Sequence, residues 1–267
     1  MGSKGTGTEA EFIRDLAVAS TPPVEVDPSK LYVHDGEIIN LQDFQPTPRR
    51  KRGHTTHFTA ASLAAYALAH KEAGTALYVD LESFGATVII NGPSVESPGW
   101  SDHTAILKTR YTPEWNYWIN KDGKMQAQAE FAEHVQAGLR EILDPPAMDM
   151  LELAQSFQAH TDVTFKSGKQ LADGKRQLEY IEEINATAGA KGTIVIPSEL
   201  SLAIAPFEGS PTYKIKAWFR FRINNGDLQL GYKLDRPRDV QKAAFDDIVL
   251  ELQKATLLNV YQGKPSA

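Results

Sequence analysis

Cysteine is absent from the 267 residues, which excludes disulfides, thiolate metal sites and cysteine nucleophiles together. No apolar run approaches the roughly 20 residues needed to span a bilayer, and the start of the chain lacks the charged-then-apolar pattern of a secretory signal. The expectation is a cytoplasmic protein without membrane contact. Also missing are a Gly-rich phosphate loop, a Gly-x-Ser-x-Gly elbow and an HExxH helix, so no common catalytic motif presents itself and no cofactor is implied. The net charge of −6 gives no global pull toward nucleic acid; any such binding needs a local basic surface.

Size and patterning are what the chain has. With 42% apolar residues it can bury roughly three quarters of the surface that the unfolded chain exposes, and no long Gly/Ser linker divides it. Thr8 and Glu11 have capping-box spacing before Phe12, Ile13 and Leu16, so a short helix is predicted there, followed by an extended, loop-like arm to Pro48. A second helix is predicted over 59–73 with Gly74 as its C-cap, then strands at 76–80, 86–91 and 104–111. A short aromatic helix covers 114–120, a longer one 125–143, and another 148–159.

The last third alternates like antiparallel sheet. Asn225-Gly226 suits a two-residue turn that pairs Ile223 with Leu228, Phe221 with Leu230 and Phe219 with Tyr232. Asp173-Gly174 suits a second, longer hairpin pairing Val163 with Ile184, and short strands are predicted at 193–196 and 200–205. A closing helix from Pro237 to about Leu258 carries Val240, Ala244, Ile248, Leu252 and Ala255 on one stripe, suited to covering this sheet. The predicted class is α+β, mainly antiparallel sheet with long hairpins in the C-terminal half, packed helices and a smaller mixed α/β N-terminal part. The predicted organisation is an N-terminal helix and arm over 1–48, an α/β subdomain over 49–145 and a helix, sheet and closing helix over 146–267, with 49–267 one intimate unit.

Five features carry candidate chemistry. Asp80 and Glu82, at a strand end, look like the first motif of proofreading-type exonucleases, but the further carboxylates and the His or Tyr base that two-metal hydrolysis needs are missing. No residue is therefore assigned as catalytic or as a metal ligand. Arg49-Arg50-Lys51-Arg52 is the densest basic run; it suits an anionic ligand or nucleic acid by counterion release, or is a solvated charge run. In the strand over 213–223, alternation sends Lys214, Lys216, Trp218, Arg220 and Arg222 to one face, away from Phe219 and Phe221. Cations interleaved with an indole can hold a phosphate backbone and stack a base, though an ordinary outer sheet face reads the same way. Trp100, Tyr111, Trp115, Tyr117 and Trp118 read as core, as a subunit interface or as pocket lining; Trp115 and Trp118 are candidate subunit contacts together with Lys169, Gln170, Lys175 and Arg176 at the polar tip of the long hairpin.

Three of the four tryptophans lie in Gly99-Trp100-Ser101-Asp102-His103 and Thr112-Pro113-Glu114-Trp115-Asn116-Tyr117-Trp118. With the basic run, Gln128-x-Glu130-Phe131-Ala132-Glu133, Phe165-Lys166-Ser167 and Phe207-Glu208-Gly209, this set resembles the YfdQ-like proteins of phages and prophages over roughly 45–255. The resemblance implies a phage or prophage origin and action inside an infected bacterium. It supplies no active site. The expected function is a non-enzymatic protein that self-associates and acts by binding, sequestration or assembly, with itself, a host or phage factor or an anionic ligand as partner. The alternatives are a nucleic-acid-binding accessory of phage replication or recombination and, third, a metal-dependent exonuclease.

Overall fold

The computed structural model describes residues 8–19, 31–34, 37–166, 179–187, 196–224 and 227–265. The chain divides into two units, Met1–Lys51 and Arg52–Ala267. In the first, helix α1 (Glu9–Ala19) begins with one half of the capping box its sequence calls for: the Thr8 N–H donates to Glu11 Oε2 at 2.7 Å, and the Glu11 and Phe12 N–H groups donate to the Thr8 backbone carbonyl as the first-turn bonds. Where the sequence suggested only an extended arm, β1 (Leu31–His34) and β2 (Glu37–Asn40) pair as an antiparallel hairpin.

The second unit runs β3 (Gly53–His57), α2 (Ala60–His70), β4 (Ala76–Asp80), β5 (Gly85–Ile89), β6 (His103–Lys108), α3 (Pro113–Ile119), β7 (Met125–Ala127), α4 (Gln128–Ala137), β8 (Ile142–Asp144) and α5 (Ala147–Ser156). It continues with β9 (Gln158–Lys166), β10 (Glu179–Thr187), β11 (Glu199–Ile204), β12 (Tyr213–Asn224), β13 (Asp227–Leu234), α6 (Pro237–Thr256) and β14 (Val260–Gln262). Two five-stranded sheets result, ordered β14-β4-β5-β6-β3 and β7-β13-β12-β11-β8. The first is mixed, with β14 parallel to β4 and β3 parallel to β6; the second is antiparallel throughout. The protein is α+β.

Each sheet buries one face. Leu77 and Val79 of β4, Ala86 and Val88 of β5 and Ala105 and Leu107 of β6 meet α2 and α6 in one core. Ile215, Ala217 and Phe219 of β12 and Leu230 and Tyr232 of β13 meet α3, α4 and α5 in the other. The register across β12 and β13 is the predicted one: Ile223 opposite Leu228, Phe221 opposite Leu230, Phe219 opposite Tyr232. The Asn225-Gly226 turn itself lies outside the described residues.

Four expectations need correction. The helix predicted over 125–143 is β7, α4, a 3-10 turn (Leu139–Glu141) and the start of β8, because Met125–Ala127 is drawn into the second sheet beside β13 and the helix proper stops at Gly138, where an added Cβ would sit 2.5 Å from the Trp118 ring. Helix α6 covers mainly the first sheet and not the C-terminal one: Ala244, Phe245, Ile248 and Leu252 pack there with α2, and Val240 alone of the expected stripe reaches the second core. The long hairpin pairs Val163 with Glu182, not Ile184, and Asp173-Gly174 lies outside the described residues. Gly74 does not cap α2, which ends at His70 with Lys71 as its cap. Gly74 instead lets two loops touch, since a Cβ there would fall 1.9 Å from the Gly92 carbonyl oxygen. Gly99, at φ +65°, approaches the same carbonyl, and its own Cβ would be 2.3 Å away. Both sheets draw strands from either side of residue 145: β7 and β8 edge the second and β14 edges the first.

Candidate ligand cleft and cationic strand face

With Leu77 and Val79 turned into the core, alternation sends Tyr78 and Asp80 to the opposite face of the first sheet. Register then aligns Tyr78 with Thr87 of β5, Thr87 with Ile106 of β6, and Thr104 with His54 of β3. On the far edge, parallel pairing of β14 puts Tyr261 beside Tyr78, with ring centroids 5.4 Å apart. The Gly263 N–H donates to the Val79 carbonyl at 2.8 Å, which anchors the tail so that the Lys264 ammonium lies 3.1 Å from Asp80 Oδ2. A cleft of about 650 Å³ opens on this face. Its floor is Tyr78, Thr87, Ile89 and Ile106, and its rim carries His54, Lys108 and Lys264. His54 Nδ1 is 2.7 Å from Thr104 Oγ1, which fixes the imidazole against the sheet.

Asp80 is held well below the usual carboxylate range, at about 2, chiefly by the Ser83 hydroxyl; burial opposes this, and the Glu82 N–H and Lys264 add lesser pulls downward. Its oxygens thus tie the β4–β5 turn and the chain's tail together. The exonuclease-like pair Asp80 and Glu82 is a turn motif here, and among the described residues no three His, Cys, Asp or Glu side chains gather as a metal site would require.

On the core side of the same sheet lies a polar seam. His57 Nδ1 is 2.9 Å from Ser62 Oγ, Tyr66 Oη is 2.9 Å from His103 Nε2, and the Tyr66 ring lies 4.4 Å from that of His70. Burial pushes the His57 pKa down. These contacts join β3, α2 and β6, segments too far apart in the chain for spacing to reveal them.

The second sheet bears the basic face that alternation predicted. Lys214, Lys216, Trp218, Arg220 and Arg222 are all exposed on β12, the central strand, with Trp218 at 39% exposure. Lys216 is 3.1 Å from Glu199, Lys233 is 2.7 Å from Asp122, and Arg222 Nε donates to Gln229 Oε1 at 2.8 Å. The run Arg49-Arg50-Lys51-Arg52 straddles the junction of the two units; Arg50 is half-buried and its neighbours are exposed.

The aromatic set divides, with Trp115, Tyr117 and Trp118 together on α3 and Trp100 and Tyr111 elsewhere. Trp115 and Trp118 are 2% and 1% exposed and belong to the core of their own chain, which corrects their reading as subunit contacts. Tyr117 stacks on His134 at 4.4 Å, Tyr111 stacks on Phe207 at 5.3 Å, and Trp100 is exposed on the loop before β6. Lys169, Gln170, Lys175 and Arg176 lie outside the described residues. Sequence reasoning missed the cleft because Tyr78, Thr87, Thr104 and Lys264 come from four segments. The only local signal is the polar-apolar alternation of β4 and β5.

Two helix-backed sheets in one α+β unit, with a cleft on the free face of one and cations on the free face of the other, describe the architecture. Residues 9–265 match the uncharacterized conserved protein family DUF2303, and the chain belongs to that family. No curated protein and no solved structure matches it. Among the described residues no helix is long and apolar enough to cross a membrane.

Proposed function

We propose that this is a non-enzymatic, phage- or prophage-encoded protein that acts by binding in the cytoplasm of the infected bacterium, holding a small ligand in the cleft of the first sheet and associating with copies of itself. The observation that carries the reading is the cleft: its volume of about 650 Å³ is that of a small-molecule site, and its lining combines an apolar floor with a few convergent polar groups. Ile89, Ile106 and Tyr78 suit a flat, largely apolar body, and the ammonium groups of Lys108 and Lys264 suit one anionic end. Support for association comes from α1, whose Phe12, Ile13 and Leu16 are 67%, 62% and 58% exposed. The resemblance of the tryptophan-rich run to YfdQ-like proteins supports the phage origin.

The cleft is tested by thermal shift against nucleotides, sugar phosphates and aryl carboxylates, together with native mass spectrometry of the purified protein. At least one anionic aromatic compound should raise the melting temperature of the parent and leave Thr87→Trp, which fills the floor, unmoved. Absence of both a shift and a co-purified adduct sinks the ligand site. Sedimentation velocity at micromolar protein tests association: the parent should sediment as an oligomer and Leu16→Asp as a smaller species, and a strictly monomeric parent overturns that half.

A further inference from the structure

We infer that the exposed face of β12 is a binding track for single-stranded nucleic acid, centred on Trp218 and separate from the cleft. Along an extended strand every second side chain shares a face, so Lys214, Lys216, Trp218, Arg220 and Arg222 form a continuous row, a cation on each side of the indole at every step. This row occupies the central strand of its sheet, with β13 and β11 on either side.

The cross-strand neighbours are small at two steps, with Ser201 opposite Lys216 and Ala203 opposite Lys214. Arg220 faces Gly231, over which the Lys124 carbonyl lies, and Trp218 stands between Glu199 and Lys233, so the row is a ridge with one anion and one further cation beside its indole. A flexible single strand can lie along such a ridge, with phosphates on the cations and a base on the indole. A duplex can meet the cations through its phosphates but has no free base face to offer the indole.

Charge sets the partner's sign. In a chain of net charge −6, this face concentrates cations whose charge is only partly balanced. Lys216 is paired with Glu199 and Lys233 with Asp122, Arg222 is held by the neutral amide of Gln229, and no ion pair among the described residues engages Lys214 or Arg220. Trp218 is where an anionic polymer with π-faces differs from a merely acidic protein: a large indole left 39% exposed between cations offers stacking that a polyglutamate surface cannot use.

The test is fluorescence anisotropy of the full chain with a labelled oligo(dT) of about 15 nucleotides at about 50 mM salt. Micromolar binding is expected. Contact with about three phosphates makes the log–log salt slope about −2, a loss of roughly fifteenfold on going to about 200 mM. Lys214→Gln/Arg220→Gln should flatten that slope. Trp218→Ala should weaken binding about tenfold at unchanged slope, and Trp218→Phe should restore part of it. All these side chains are exposed, and unchanged circular dichroism confirms folding for each variant. No binding at micromolar protein overturns the inference. So does binding that these variants leave intact, equal affinity for the matching duplex, or competition by polyglutamate as effective as by unlabelled oligonucleotide. The cleft variant Thr87→Trp should bind oligo(dT) like the parent, so failure of either site is distinguishable from failure of the other.

Discussion

His134 shows how one side chain can be read from its partners. The Tyr232 hydroxyl donates to the Trp118 carbonyl at 2.6 Å, so its single proton is used and the 3.1 Å contact with His134 requires the proton to sit on His134 Nε2. The ring lies between Tyr117 and Tyr232, with centroids 4.4 and 5.7 Å away, and Tyr117 donates to the His134 carbonyl at 3.0 Å. Burial, with a smaller push from Lys121, lowers its pKa to about 4 from an ordinary 6.5. The unfolded chain therefore binds the proton more readily than the folded one between those values. Stability from this group is complete above about pH 6.5 and is lost as the pH falls toward about 4, by about 3 kcal/mol. Urea denaturation at neutral and acidic pH should show that slope in the parent and a flatter one in His134→Phe; equal slopes would refute the assignment. Position 134 reads from sequence only as a helix residue, because its partners come from two other elements, α3 and β13.

At the scale of elements, what was legible is what local rules determine. The β12–β13 ladder was readable because a turn dipeptide and alternating apolar residues agree on one register, and Thr8 with Glu11 gave the start of α1 because capping is a matter of neighbours. What was illegible depends on distant partners. Met125–Ala127 has helix-favouring residues yet becomes β7, and Val260–Gln262 is too short to signal a strand until β4 lies beside it. The end of α5 makes the same point. Its last carbonyls are satisfied from another helix: Gln128 Nε2 donates to the Ala154 and Phe157 carbonyls at 3.1 and 3.0 Å. Gln128→Ala should cost about 1–2 kcal/mol in thermal or urea denaturation. Gln128→Glu should cost more, since it cannot donate and sets a negative charge at a helix C-terminus. If both variants match the parent, water replaces the amide and the link is idle.

On the scale of the whole molecule, the last segment governs the first sheet. β14 supplies its edge, Leu258 enters its core, and Lys264 closes the cleft against Asp80. A chain stopped after Asn259 should therefore stay folded but melt roughly 4–8 °C lower, a loss of about 2 kcal/mol, and its Asp80 carboxyl should titrate nearer the ordinary range by NMR. An unchanged melting temperature would mean that β14 is ornamental. The arrangement also bears on how the protein is made. A ribosome releases α2 and β3 to β6 before the second sheet and α6 with β14 after it, so Leu77, Val79, Val88 and Leu107 have only α2 over them while the second sheet is translated. A nascent chain in that condition offers a half-covered apolar sheet to chaperones and to its neighbours on the same message, and a ribosome stall within α6 leaves a sticky intermediate where a stall after β14 leaves the first sheet closed.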